Sequence, residues 1–119
     1  MGTAIAKIDK GERIRIPSDL LKTCEEEFGN EVFITSTDDR TVQIYPLAVW
    51  RGRVDSLTKE KKADPLLRRF LLKANYNGQI VKIDGRGRIQ IPGFLKKKIR
   101  LAGKITFTRR EGRLELMRL

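Results

Sequence analysis

The sequence predicts an α+β fold, mainly β: one pseudo-twofold barrel built from two internal repeats, with a helical connector between them. Three observations carry this expectation. The segment Lys7-Ile8-Asp9-Lys10-Gly11-Glu12-Arg13-Ile14-Arg15-Ile16-Pro17 returns 75 residues later as Lys82-Ile83-Asp84-Gly85-Arg86-Gly87-Arg88-Ile89-Gln90-Ile91-Pro92, with seven of eleven positions identical. Each copy spans about 40 residues, near the size below which a unit rarely builds a core alone. The stretch between the copies has helical periodicity. The copies are therefore expected to pair, strands of one completing the sheet of the other. The organisation is residues 1–45 as the first repeat, 46–76 as the connector and 77–119 as the second repeat.

The elements follow in order. Ala4 to Ile8 and Gln79 to Ile83 read as short strands, and Asp9 to Glu12 and Asp84 to Gly87 as Gly- and Asp-bearing turns. Ile14 and Ile16, like Ile89 and Ile91, alternate with polar residues and face one side of a strand that Pro17 and Pro92 stop. Ser18 is suited to cap a helix, on which Leu20, Leu21, Cys24 and Phe28 share a face; Phe94, Leu95 and Ile99 are expected to do so in the second copy. Two further strands close each repeat, turning near Asp38-Asp39-Arg40 and Glu111-Gly112-Arg113. Leu47, Trp50, Val54 and Leu57 form one helical stripe; Leu66, Leu67, Phe70, Leu71 and Ala74 form another, starting at Asp64-Pro65. The connector thus reads as a helical hairpin, and Trp50 as a packing residue.

Composition narrows the function. The chain of 119 residues carries 26 Lys and Arg against 15 Asp and Glu, a net charge of +11 with no histidine and one cysteine. Without histidine the commonest general base and metal ligand are missing, and one cysteine builds neither an internal disulfide nor a thiolate zinc cage. No acid/base pair stands at useful spacing, so an enzyme is the weakest reading and no cofactor or metal is expected. No apolar run approaches the roughly 18 residues of a membrane span, and Met1 to Lys10 has no hydrophobic signal core. The charge is lopsided: residues 1–64 carry a net −1 and residues 65–119 a net +12. A basic chain of this kind is expected to meet a polyanion.

The repeated turns are the candidate site. Each opens on an Asp and closes on an Arg four residues later, Asp9 with Arg13 and Asp84 with Arg88. Lys7, Lys10 and Arg15 stand around the first turn, Lys82 and Arg86 around the second. A tight turn presenting cations suits phosphate and, through Arg, the edge of guanine. Asp9 and Asp84 are expected to structure the turns through backbone N–H groups, and a purely bracing role for the two arginines is the competing reading. Arg88 is expected to matter more than Arg13, because Glu12 repels phosphate where Gly87 allows close approach. Gly85-Arg86-Gly87 is not a nucleotide loop, since a strand and no helix follows it. Lys96-Lys97-Lys98 with Arg100 either solvates a helix face or flanks nucleic acid.

The repeated Ile-Asp-x-x-x-Arg-Ile-x-Ile-Pro pattern resembles the AbrB/SpoVT swapped-hairpin DNA-binding superfamily. Tyr45-Pro46-Leu47-x-x-Trp50, Asp64-Pro65 with Arg69-Phe70, and Asp84-Gly85-Arg86-Gly87-Arg88 narrow the resemblance to the MraZ family over nearly the whole chain. The resemblance implies a swapped-hairpin (cradle-loop) barrel and a bacterial transcriptional regulator, expected to repress a promoter with repeated DNA boxes such as that of the division and cell-wall cluster. It implies double-stranded DNA as partner, homo-oligomers that extend to rings, and a cytoplasmic, nucleoid-associated protein with no small-molecule substrate. DNA contact carries over to Arg13 and Arg88, with Lys10 and Arg86 as neighbours. The chain departs from the family pattern at Glu12, where the family has Gly, and at both ends. Two other readings are an antitoxin-like interaction module, disfavoured by two motif copies, and a basic RNA-binding protein, disfavoured by the few aromatics available for stacking.

Overall fold

The computed structural model of the chain describes residues 3–18, 21–22, 26, 29–38, 40–59, 65–101, 103–110 and 112–118. The element order is β1 (Thr3–Lys7), β2 (Arg13–Arg15), β3 (Glu31–Thr35), β4 (Thr41–Pro46), α1 (Leu47–Lys59), α2 (Pro65–Tyr76), β5 (Gln79–Lys82), β6 (Arg88–Gln90), α3 (Gly93–Ile99), β7 (Lys104–Arg110) and β8 (Arg113–Arg118). Ser18, Leu21, Lys22 and Glu26 are also helical. The apolar positions Leu20, Cys24 and Phe28, the helix cap at Asp64, and the turn residues Asp39 and Glu111 lie outside the described residues.

The fold is α+β and mainly β. Six strands form one antiparallel sheet in the order β1-β7-β8-β4-β3-β5, and β2 pairs with β6 in a separate ribbon. The first strand of each repeat crosses to the other half: β1 pairs with β7, and β5 pairs with β3. Corresponding residues of the two copies meet where the halves join. Ile14 lies opposite Ile89 in the ribbon, and Gln43 opposite Glu115 between β4 and β8. Among the described residues the six-stranded sheet does not close on itself. β1 and β5 are the sheet edges and do not pair. The three-residue strands β2 and β6 pair with each other and lay Ile14 and Ile89 onto the core, each joined to its own edge strand through the Asp9 or Asp84 turn.

Alternation sets what is buried. Val32, Ile34, Val42, Ile44, Ile105, Phe107 and Leu116 point inward from the sheet, and Ile14, Ile89, Ile91, Leu95 and Ile99 close over them. The opposite face of β3 and β4 is apolar too. Phe33 and Tyr45 there receive the connector, with Trp50 stacked on Phe33 at a centroid distance of 4.5 Å and tilted against Tyr45 at 5.0 Å. Leu47 and Ala74 complete this second cluster. The end of α2 is tied down by Thr35 Oγ1, which donates to the Ala74 carbonyl at 2.6 Å, and by Asn77 Nδ2, which donates to the Ser36 carbonyl at 3.1 Å. Gly78 has no room for a side chain, since a Cβ there would sit 2.0 Å from the Phe33 ring.

Two apolar positions break the expected stripes. Leu66 is 70% exposed although it stands four and eight residues before Phe70 and Ala74, because it lies in the first turn of α2, outside the cluster that Phe70, Leu71 and Ala74 join. Phe94 is 46% exposed because Leu95 and Ile99 define the buried face of α3, and at 100° per residue Phe94 turns away from it.

Candidate nucleic-acid interface

The two repeated turns share one backbone design. Asp9 Oδ1 accepts from the Gly11 and Arg13 amides at 2.8 and 2.9 Å, and Asp84 Oδ1 accepts from the Arg86 and Arg88 amides at the same two distances. In both, the amide of the Asp donates to the carbonyl of the closing Arg, at 3.0 Å for Asp9 and 2.9 Å for Asp84. These amide bonds, from Arg13 above all, hold the Asp9 carboxyl below its ordinary range, and the Arg88 amide bond leads the same effect at Asp84. The position before each Arg is left-handed, with φ of 62° at Glu12 and 74° at Gly87. Its carbonyl then reaches the other copy: Ile91 N donates to Glu12 O at 3.1 Å, and Ile16 N to Gly87 O at 2.9 Å. The turns are therefore locked side by side.

Their side chains differ. Arg88 is held by both aspartates, with Nε donating to Asp84 Oδ2 at 3.0 Å and Nη1 to Asp9 Oδ2 at 3.5 Å. Its side chain is 23% exposed, and Nη2 makes no hydrogen bond among the described residues. Arg13 is exposed and forms no ion pair among the described residues. Lys10 and Arg86 are exposed at the turn tips. Lys7, Arg15 and Arg86 are brought together around a groove of about 440 Å³ floored by Ile5, Ala6, Ile16 and Leu21. Lys82 stands apart from this group, on β5 directly opposite Glu31.

Three further residues adjoin the site: Lys104 and Gln90, which the sequence did not mark, and Lys96, from the basic run expected either to solvate a helix face or to flank nucleic acid. Lys104 lies opposite Lys7; Gln90 Nε2 donates to the Gly11 carbonyl at 2.9 Å; Lys96 Nζ donates to Glu12 Oε1 at 2.8 Å. Gln90 is a repeat position that differs between copies, and that difference is its only signal in the sequence. Lys104 and Lys96 come from strand register and helix docking. The arrangement offers hydrogen-bond donors and positive charge on a rigid scaffold, suited to an extended anion. Among the described residues no helix is long and apolar enough to cross a membrane, and no cluster of His, Cys, Asp and Glu suits a metal ion.

No family model matches the chain. The chain is 30% identical to the transcriptional regulator MraZ of Acidobacterium capsulatum over 115 residues, which is 97% of this chain and 79% of that protein. It is 30% identical to the transcriptional regulator MraZ of Koribacter versatilis over 87% of this chain and 71% of that protein. It is 29% identical to that of Neisseria meningitidis over 92% of this chain and 73% of that protein. With likeness of this extent running through both turns, both sheet halves and the connector, the chain belongs to the MraZ family.

Proposed function

We propose that this chain is a sequence-specific transcriptional regulator that binds double-stranded DNA through the paired turns and represses a promoter carrying repeated boxes. The observation that carries the proposal is Arg88, held by Asp84 and Asp9 between two interlocked turns with Nη2 unbonded among the described residues. An arginine oriented in this way loses little freedom on meeting the acceptor edge of guanine. Lys7, Lys10, Arg13, Arg15, Lys82 and Arg86, exposed around it, supply phosphate contacts that position without reading sequence. Residues 1–45 and 77–119 act as two copies within one barrel-like unit, and α1 and α2 of the connector 46–76 pack on Phe33 and Tyr45 of the first copy. One unit grips about one box, so tight binding comes from homo-oligomers engaging several boxes at once. The protein is a binding protein of the cytoplasm and nucleoid, not an enzyme, and its partner is DNA.

The test is a footprint on the DNA upstream of the protein's own gene, repeated across salt. Evenly spaced protected boxes are expected, with log affinity falling against log salt at a slope near −4 to −5 for about four to six phosphates neutralised. A flat salt dependence, or equal affinity for mixed-sequence RNA, overturns the proposal.

A further inference from the structure

The two turns have matching backbones, but the flanks beside them carry unequal charge. Lys7, Arg15 and Arg86 share one groove, and Lys104 adds a fourth cation directly across the strand pair from Lys7. Like charges opposite one another destabilise a strand pair, so a polyanion that neutralises them accounts for the placement. The repeat and the strand registers give the counterpart of each residue in the other half: Lys82 for Lys7, Gln90 for Arg15, Gly11 for Arg86 and Glu31 for Lys104. There the amide of Gln90 is spent on the Gly11 carbonyl, Lys82 faces Glu31, and the nearby Lys96 is neutralised by Glu12. At these four paired positions one flank presents four cations where the other presents one lysine opposite a carboxylate, with Lys10 exposed beside Gly11.

We infer that the chain has a single polyanion-gripping flank, formed by Lys7, Arg15, Arg86 and Lys104, and that it engages duplex DNA in one fixed polarity on an asymmetric site. The inference rests on the DNA-binding reading and adds to it which phosphates are held. A twofold protein mirrors its symmetry in a palindromic operator; a unit whose twofold is broken in charge has no such requirement. Phosphates on the side of the cationic flank are gripped tightly, while the opposite flank contributes weakly.

The experiment uses a 30-base-pair duplex selected by the full-length protein from a random pool, with phosphate ethylation interference and affinity measured across salt. Interference is expected to be lopsided about the centre of the site. Arg15→Gln and Arg86→Ala are each expected to lower affinity about tenfold and to reduce the salt slope by about 0.9, one phosphate contact. Lys82→Gln is expected to cost at least threefold less, and Gln90→Arg with Glu31→Lys to raise affinity and add interference on the weak side. Thermal melts of the Arg15 and Arg86 variants are expected to match the parent, since both side chains are exposed. A symmetric interference pattern, or equal losses from Arg15→Gln and Lys82→Gln, overturns the inference and leaves DNA binding intact. Selection of no duplex at all overturns both.

Discussion

Glu12 and Lys96 form a 2.8 Å ion pair at the positions where the other copy packs Gly87 against Leu21. The repeat places Glu12 with Gly87 and Lys96 with Leu21, so both members of the contact change together. At Gly87 a Cβ would lie 2.5 Å from Leu21 Cδ2, and φ is +74°. At Glu12 the same left-handed backbone is held by a residue with a side chain, at a cost of about 1–2 kcal/mol. The half-exposed ion pair offsets at most about 1 kcal/mol of that. Gly87→Ala is therefore expected to destabilise the protein by about 2–3 kcal/mol through strain and overpacking. Glu12→Gly is expected to stay within about 1 kcal/mol of the parent and to bind DNA more tightly, since a carboxylate leaves the turn and Lys96 is released. Denaturant titration checks the first pair of values and a DNA titration the last.

The two turn arginines are expected to separate in behaviour. Arg88 makes two carboxylate contacts, whereas Arg13 is exposed without an ion pair among the described residues. Arg88→Ala is expected to cost about 1–3 kcal/mol of specific binding and up to about 1 kcal/mol of stability, because Asp9 and Asp84 lose their shared cation. Arg13→Ala is expected to weaken binding less and to leave stability within about 0.5 kcal/mol. Melts and affinities measured on the same two variants decide whether bracing and contact coincide in Arg88.

Acid is expected to loosen the turns through Asp9 and Asp84. Both carboxyls titrate below the ordinary Asp value, chiefly because backbone amides donate to the charged form. Their contribution to stability is fully present above the unfolded value of about 3.9 and is lost as pH falls through the lower folded value. With no histidine in the chain, stability is expected to be nearly flat from pH 5.5 to 8 and to fall below about pH 4. Asp84→Asn removes part of that acid dependence. Chemical denaturation at stepped pH follows both effects.

The connector is expected to be held chiefly by one aromatic contact. Trp50 is buried and stacked on Phe33, so Trp50→Ala is expected to cost about 3–5 kcal/mol. Trp50 is also the only tryptophan, and its fluorescence in the parent reports undocking of the helices from β3 and β4. Gly78→Ala is expected to shift that fluorescence transition to lower denaturant, because its Cβ would strike the Phe33 ring.

Local chemistry was readable from the chain by itself wherever a few neighbouring residues suffice. Asp9 and Asp84 fold their turns with amides two and four residues away, so spacing alone revealed them. Ile14 and Ile89 announced a buried strand face by alternation, and the Trp50 stripe announced a packed helix. The repeat also foretold that each half would need the other. Tertiary structure decided what depends on register and on which surface each helix meets. It set β1 and β5 at the edges of the six-stranded sheet and paired β2 with β6 in a ribbon of their own. It left Phe94 and Leu66 exposed, since hydrophobicity shows that a residue can be buried but not which face of a helix is covered or how far along it the cover extends. It joined Arg88 to Asp9, Gln90 to Gly11 and Lys96 to Glu12, partners 79 to 84 positions apart. No local rule reaches such pairs. They form because the ribbon of β2 and β6 sets two nearly identical turns side by side, and there the few residues that differ between the copies decide the charge of each flank.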